Sequence, residues 1–389
     1  MGSSSFYIIS KGRVNKQWDI WHKYLPRVKP YYAVKCNSEP KILQWLGELG
    51  SGFDCASAGE MEACRGASDI VFANPCKTVR DINVAREMNV GWTTIDCCEE
   101  LEKMSDHAYM PELLLRVAVD DKASDTPFSK KFGLADWTEV KRLYEAAIGA
   151  GFRVGGFSFH VGSGCRDFSQ YERAIAKVDS FWGKLLGLGA KNLHTIDIGG
   201  GFRSEESHFA PAAVAIKKGL AALESSKGAN IIAEPGRFFA APSQDLFVKV
   251  IGKKPGSGSS SGSGSGSGSG SWRYTIDESV YGQFSCIPFD SQRPRFARIG
   301  SDKRWKAPGV MFGRTCDSLD VICYGSEMDE LKIGDWLYFP WMGAYTSVTS
   351  SEFNGFPKPQ PIYSSSVIID MELNWQKGIE YALETKSRI

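Results

Sequence analysis

The sequence of 389 residues lacks the features that mark several large classes of protein. No apolar run approaches the ~20 residues that cross a bilayer, and no signal-peptide core follows Met1, so we expect neither a membrane protein nor a secreted one. The formal net charge is only +1, which gives no indication of nucleic-acid binding. The ten cysteines show no C-x-x-C spacing, which argues against a metal site and favours reduced thiols in a cytoplasmic protein.

Two stretches do not show the patterning of a folded protein, and we exclude both from the functional argument. Met1–Ser5 (residues 1–5) looks like the remnant of an expression tag. Residues 256–271 form an unbroken tract of glycine and serine. The regularity of this tract is typical of an engineered linker, which buries nothing and behaves as a flexible coil.

Short apolar runs recur along the first two thirds of the chain, and most of them end on a polar residue or a glycine. Eight such runs are present: Tyr31–Lys35, Gly52–Asp54, Ile70–Asn74, Thr93–Asp96, Leu113–Arg116, Phe157–His160, Thr195–Gly199 and Ile231–Glu234. The stretches between them are long enough for a turn, a helix and a return. Eight alternating strands and helices predict an α/β fold of the (β/α)8 barrel type, with an active site at the carboxyl ends of the strands.

A barrel uses only about 250 residues, so the chain is long enough for a second domain. We predict a strand in residues 6–12 that joins this domain, a barrel over residues 13–245, and a C-terminal antiparallel β domain over residues 246–389. The β-rich segments of that domain are Ser279–Pro288, Gly309–Phe312, Trp336–Phe339 and Ile362–Ile369, followed by a predicted helix at Leu373–Glu384.

The residues at the predicted strand ends suggest chemistry. Lys35 ends the first run, where a partly desolvated lysine suits Schiff-base formation, although a surface lysine leaving a strand is an alternative interpretation. Two glycine-rich turns, at residues 162–164 and 199–201, follow late strands, where barrels often bind phosphate. A tight turn without a ligand would also explain either segment.

Two further strand-end residues complete the pattern. Glu234 could hold the protonated nitrogen of a pyridine cofactor or could simply pair with Arg237. His160 is the histidine that falls at a strand end, where it could stack on a cofactor ring or serve as a core residue. A lysine, a flat histidine, an acid and two phosphate turns together predict a pyridoxal 5′-phosphate site.

These residues also lie in a series of motifs that resembles a known family, the eukaryotic-type ornithine decarboxylases of the alanine-racemase-like (group IV) pyridoxal-phosphate enzymes. The matching motifs are Tyr32–Asn37, Gly52–Ser57, Ala73–Lys77, Phe159–Cys165, Asp197–Phe202, Ala233–Arg237, Thr315–Asp317, Met342–Thr346 and Phe353–Phe356. The resemblance implies decarboxylation of L-ornithine to putrescine, a step of polyamine biosynthesis, through a Schiff base and a quinonoid intermediate. It also implies a homodimer with shared active sites, and it leaves open whether an antizyme-type protein acts as a regulator.

The resemblance assigns roles to individual residues. Lys35 would form the Schiff base, His160 would stack on the cofactor ring, and Glu234 would bind its nitrogen. Asp54 and Arg116 would support the lysine and the ring face. The phosphate would be held by Ser163, Gly200, Gly201, Arg237 and Tyr345.

The other subunit would complete each site. Its Cys316 would protonate the carbanion after carbon dioxide leaves, and its Asp317 would receive the distal amine of the substrate together with Asp290. Lys131 would pair with Asp320 across the dimer interface.

Some positions depart from the family pattern and leave alternatives open. Arg314 stands where proline is usual, and Phe289 stands where tyrosine is more common. Either could shift the substrate to lysine or arginine. Arg314 also leaves diaminopimelate open as a substrate, because a basic residue could hold its distal carboxylate. A non-catalytic, antizyme-binding homologue is a further alternative, which the presence of Lys35 and the other cofactor-contacting residues disfavours. The adjacent Cys316 and Asp317 disfavour an alanine racemase.

Overall fold

The computed structural model describes residues 4–67, 69–256, 271–299 and 306–365. The chain divides into two compact units, which we call the barrel unit (Asn15–Phe239) and the sheet unit (Met1–Val14 with Ala240–Ile389). Most of the glycine–serine tract and the predicted helix Leu373–Glu384 lie outside the described residues.

The barrel unit contains a closed barrel of parallel strands, as predicted. In chain order, its first to eighth strands are Val28–Ala33, Gly52–Cys55, Ile70–Phe72, Trp92–Ile95, Glu112–Val117, Arg153–Phe159, Thr195–Asp197 and Asn230–Ala233. The barrel closes where the eighth strand pairs with the first, with Ile231 opposite Val28. Side chains from alternate strands, such as Tyr31, Val71 and Leu114, fill the interior, so the barrel is a packed core.

Helices connect the barrel strands on the outside, as the alternation predicted. The described α-helices are Lys11–Tyr24, Pro40–Leu49, Ala58–Ala63, Val79–Glu87, Glu99–Asp106, Trp137–Gly149, Ser169–Gly187, Glu206–Ala221, Arg237–Ser243 and Cys286–Asp290. Their ends follow local chemistry: Thr78 and Asp81 form a capping box before Val79–Glu87. Gly50 ends Pro40–Leu49 in the left-handed conformation. Among the described helices, none is long and apolar enough to cross a bilayer.

The sheet unit confirms the predicted β domain, but its sheet of eight described strands is mixed, with two parallel pairs among antiparallel ones. Phe6–Ser10 pairs antiparallel with one strand and parallel with another, and a second parallel pair lies elsewhere in the sheet. The strands are Phe6–Ser10, Gln244–Pro255, Trp272–Ile276, Ala297–Arg298, Lys306–Phe312, Val321–Asp329, Trp336–Phe339 and Gln360–Ser364. A separate short pair, Ser124–Thr126 with Ser163–Cys165, lies in the barrel unit.

The predicted β segment Ser279–Pro288 was wrong. Turns precede a short helix, Cys286–Asp290, in this part of the chain. The hydroxyl of Ser279 accepts the backbone N–H of Gly282 at 2.8 Å, and the carboxylate of Glu278 accepts that of Gln283 at 3.0 Å. Such local side-chain bonds favour a turn over a strand ladder, and a hydrophobicity pattern does not reveal them.

Candidate active site

The polar residues predicted at the strand ends lie at the carboxyl ends of the barrel strands. Lys35 lies in a 3₁₀ turn, Val34–Cys36, directly after the first strand, and Asp54 lies in the second strand. Arg116 lies in the fifth strand, His160 follows the sixth and Glu234 follows the eighth. Parallel strands carry these ends to one rim of the barrel, so the topology gathers the five side chains.

Lys35 is held by an ion pair and is still accessible. Its Nζ lies 2.8 Å from Asp54 Oδ2, and the lysine side chain is 37% exposed whereas that of Asp54 is 1% exposed. The other carboxylate oxygen, Asp54 Oδ1, is buried without a hydrogen-bond partner. A buried acceptor without a donor is costly, so this atom indicates that a polar group of a ligand belongs beside it.

Glu234 and Asp197 form a buried pair of acids at the same rim. Burial raises the pKa of Glu234 well above its usual value, and the charges of Asp197 and Asp54 raise it further. Burial likewise raises the pKa of Asp197, whose Oδ1 accepts the Gly199 N–H at 2.8 Å. Lys35 and Arg116 oppose these shifts only in part. A raised pKa favours the protonated carboxyl, and a cation such as a protonated ring nitrogen beside it would favour the carboxylate instead.

His160 presents a neutral, fixed ring. Its Nδ1 accepts the Gly162 N–H at 2.9 Å, so the proton of the neutral imidazole is assigned to Nε2. Burial lowers the pKa of His160 well below its usual value, and the positive charges of Arg116 and Lys35 lower it further. The Phe128 ring contacts it, with centroids 4.7 Å apart. A flat, neutral aromatic ring of this kind suits stacking on a planar cofactor.

The glycine turn after the seventh strand is packed too closely against its neighbours to accept a side chain. Gly199 and Gly201 have φ values of +65° and +101°, which favour glycine. A Cβ on Gly200 would lie 2.7 Å from both His160 Nε2 and the backbone oxygen of Glu234. Tyr171 donates its hydroxyl hydrogen to the Gly200 carbonyl at 2.9 Å, which fixes the turn. The turn can therefore place its backbone against a phosphate.

Ser163 and Arg237 also belong to the barrel unit. Ser163 begins the short strand Ser163–Cys165, between two glycines with positive φ. Arg237 begins the helix Arg237–Ser243, three residues after Glu234. Ser163, Gly200, Gly201 and Arg237 thus all follow the last three barrel strands, where a phosphate site was predicted.

The remaining predicted residues, Asp290, Cys316, Asp317 and Tyr345, lie in the sheet unit. Asp290 ends the helix Cys286–Asp290, and Tyr345 has a left-handed backbone with φ of +53°. Cys316 is exposed. One oxygen of Asp317 accepts the Leu319 N–H at 2.9 Å, and the other accepts the hydroxyl hydrogen of Tyr281. The Asp317 carboxylate is therefore held in a fixed orientation.

Arg314 and Asp320, which the family resemblance singled out, both interact with residues of the sheet unit. Arg314 stacks on Phe356, with 4.3 Å from Cζ to the ring centroid, and donates to the Pro357 carbonyl at 3.2 Å. Its guanidinium also lies 3.8 Å from Glu278, so it is not a free cation that could hold a second carboxylate. Asp320 is fully buried and accepts hydrogen bonds from its own loop, so its pairing with Lys131 of a second subunit stays a prediction.

Four residues of this region had no role in the sequence reasoning. Asp197 could have been found, because it ends a barrel strand two residues before the first glycine of the triple glycine. Phe128 against His160, Tyr281 against Asp317, and Asn354 against Cys316 join positions far apart in sequence, and no local pattern predicts such pairs.

Comparison with known proteins gives consistent matches. The family model of the pyridoxal-binding domain of pyridoxal-dependent decarboxylases matches residues 11–241. A probable ornithine decarboxylase of Dictyostelium discoideum is 39% identical over 377 residues, covering 95% of this chain and 81% of that protein. Ornithine decarboxylase of Caenorhabditis elegans is 38% identical and covers 93% of this chain and 88% of its own. Antizyme inhibitor 2 of Xenopus laevis is 38% identical and covers 92% of this chain and 81% of its own.

Solved structures show the same fold. The arginine decarboxylase of Paramecium bursaria Chlorella virus, crystallised with agmatine, superposes with a TM-score of 0.85 at 34% identity. The match covers 93% of this chain and 96% of the viral one.

Proposed function

The chain belongs to the pyridoxal-dependent decarboxylases and uses pyridoxal 5′-phosphate to decarboxylate an amino acid, and on that premise we propose that its substrate is L-ornithine and its product putrescine. The observation that carries the chemistry is the rim of the barrel, where Lys35, His160 and the buried Glu234 meet beside a close-packed glycine turn. The reaction would serve polyamine biosynthesis.

The residues of the barrel rim fit the cofactor. When bound, pyridoxal phosphate supplies an electron sink for the bond that breaks. Glu234 would hold the ring nitrogen protonated, because a buried carboxylate with a raised pKa is stabilised by a further cation beside it. Asp54 would keep Lys35 oriented through their 2.8 Å ion pair. His160 would limit the tilt of the ring. The phosphate would be bound by Ser163, Gly200, Gly201, Arg237 and Tyr345.

The substrate preference rests on the acids of the sheet unit. Asp317 and Asp290 are short carboxylates that would receive the distal amine of ornithine, and Tyr281 fixes one oxygen of Asp317. The guanidinium of Arg314 is already engaged by Phe356 and Glu278, which favours a diamino acid over a substrate with a second carboxylate. Lysine and arginine remain rival substrates.

We further propose that two copies of the chain share their active sites. Large apolar side chains stand exposed near the substrate acids: Phe289, Leu319 and Tyr324 are 73%, 76% and 76% exposed. Large exposed apolar side chains are a feature of protein–protein contacts, which supports this proposal. The partner would then supply Cys316 and Asp317 to each barrel. All ten cysteines are free, which supports a reducing compartment such as the cytoplasm.

A second candidate function is binding of an antizyme-type regulator without catalysis, which the similarity to an antizyme inhibitor favours. The complete set of rim residues supports catalysis instead. A protein without catalytic function would not require an accessible lysine, Lys35, that is paired with a buried aspartate, Asp54.

The test is reconstitution of Lys35→Ala with the cofactor. The wild-type protein should show the absorbance band of a lysine Schiff base, and the variant should lose that band together with carbon dioxide release from ornithine. Lys29→Ala is a matched control, because Lys29 lies in the strand that precedes Lys35 and also pairs with an aspartate, Asp69, at 2.5 Å. Retention of the band in Lys35→Ala would remove Lys35 from its role.

A further inference from the structure

Cys316 lies on a loop, residues 313–320, that joins the strands Lys306–Phe312 and Val321–Asp329. Its backbone N–H donates to the side-chain oxygen of Asn354, Oδ1, at 3.1 Å. The two residues are 38 positions apart, so this bond ties the Cys316 loop to a separate segment of the sheet unit.

The neighbours of Cys316 on the loop have anchors of their own. Asp320 accepts the backbone N–H and the hydroxyl of Thr315, at 3.0 and 2.6 Å. Asp317 is held by the Tyr281 hydroxyl and the Leu319 N–H. Removal of the Asn354 acceptor would therefore act on Cys316 more than on the residues beside it.

The backbone of Asn354 limits which residues can replace it. Its φ of 59° and ψ of 16° are in the left-handed region, which asparagine, aspartate and glycine tolerate better than other residues. Glycine would keep this backbone but lose the acceptor, whereas aspartate would keep both. The position therefore offers one variant that removes the hydrogen bond and one that preserves it.

We propose that Asn354 is a positioning residue for the Cys316 thiol, and that it thereby decides where the proton goes after decarboxylation. This inference rests on the proposed function, in which Cys316 is the proton donor. Loss of carbon dioxide leaves an electron pair shared between the substrate α carbon and the cofactor. A proton from Sγ to the α carbon gives the amine product and returns the cofactor unchanged.

A misplaced thiol gives a different outcome. If the proton reaches the aldehyde carbon of the cofactor instead, the substrate nitrogen stays on the cofactor as pyridoxamine phosphate. Addition of water then releases the substrate carbons as an amino aldehyde. Each such event consumes one cofactor, so the ratio of aldehyde to amine reports the position of the donor and not merely the rate.

The experiment compares product ratios of the cofactor-loaded dimer of four variants with the wild type. Asn354→Gly should raise the fraction of aldehyde by about tenfold, since small displacements of a reacting group have large effects. Asn354→Asp should keep the wild-type ratio. Asn89→Gly, at another left-handed asparagine in the barrel unit, is the matched control and should also keep it. Cys316→Ala, which lacks the thiol, sets the upper limit of the aldehyde fraction.

The outcomes separate the inference from the proposed function. A wild-type ratio in Asn354→Gly, while Cys316→Ala produces aldehyde, would overturn the inference alone. Clean amine from Cys316→Ala would overturn the role of Cys316 and the inference with it. A fall in kcat/KM with an unchanged ratio would show a purely structural role for Asn354 and would also overturn the inference.

Discussion

At the scale of the residue, burial makes the pKa values of the acids at the barrel rim sensitive to nearby charges. Glu234 and Asp197 lie close together with Asp54, and the two nearby cations do not neutralise all three. A buried carboxyl that holds its proton in the cofactor-free protein would release it when a cationic ring nitrogen binds. Binding of the cofactor is thus linked to release of a proton from Glu234.

This linkage predicts how the stability of the cofactor-free protein depends on pH. The folded protein retains protons that the unfolded chain releases above its carboxyl pKa of about 4.5. The free energy of unfolding should therefore fall as the pH rises from there through the raised folded pKa, by up to about 1.4 kcal/mol per pH unit for each retained proton. Urea unfolding over this range measures the slope.

Glu234→Gln should flatten that slope, and so should saturation with the cofactor. Glu62→Gln, at an exposed helical glutamate, is the control and should leave the slope unchanged. An equal slope in wild type and Glu234→Gln would show that Glu234 does not retain a proton.

At the scale of the element, the glycine turn after the seventh strand has a shape that a single methyl group would change. We expect Gly200→Ala to weaken cofactor binding by roughly 10- to 100-fold, because its Cβ would press on the His160 ring and the Glu234 carbonyl. Absorbance titration of the cofactor-free protein measures the Kd.

Gly187→Ala is the matched control for this substitution. Gly187 ends the helix Ser169–Gly187, and a Cβ there would meet open space. Equal cofactor affinity in Gly200→Ala and the wild type would mean that the turn does not contact the cofactor.

The elements also show what sequence could and could not predict. Each barrel strand is a short buried run bounded by polar residues, so Gly52–Cys55 and Trp92–Ile95 were found almost to the residue. The strands Gln244–Pro255 and Val321–Asp329 were missed. Charged and small residues interrupt their alternation, and pairing across the sheet, which local sequence does not encode, determines them.

The residues of the candidate site also fall into those that the sequence predicts and those that only the structure reveals. Lys35, His160 and Glu234 were predicted because strand order alone brings them to one rim. Asn354 and Tyr281 contact residues that are remote in sequence, and their roles emerge only from the folded chain.

At the scale of the whole molecule, the account requires residues of two subunits in each site. We expect Lys35→Ala and Cys316→Ala, each impaired alone, to regain activity when mixed and allowed to exchange subunits. Random exchange would make half of the dimers mixed, each with one intact site, so about one quarter of the wild-type activity should return. Activity assays before and after exchange measure this.

Failure of the mixture to exceed the activity of its parents would contradict shared sites, provided that mass analysis shows mixed dimers. Mixing Lys35→Ala with a second batch of itself is the control for handling and should restore no activity.

The proposed substrate of this decarboxylase is ornithine. It is tested most simply by mass analysis of the amines formed when the cofactor-loaded protein meets equal concentrations of ornithine, lysine and arginine. We expect putrescine to dominate the products. Predominant cadaverine or agmatine would contradict the substrate assignment, and absence of any amine would contradict catalysis itself.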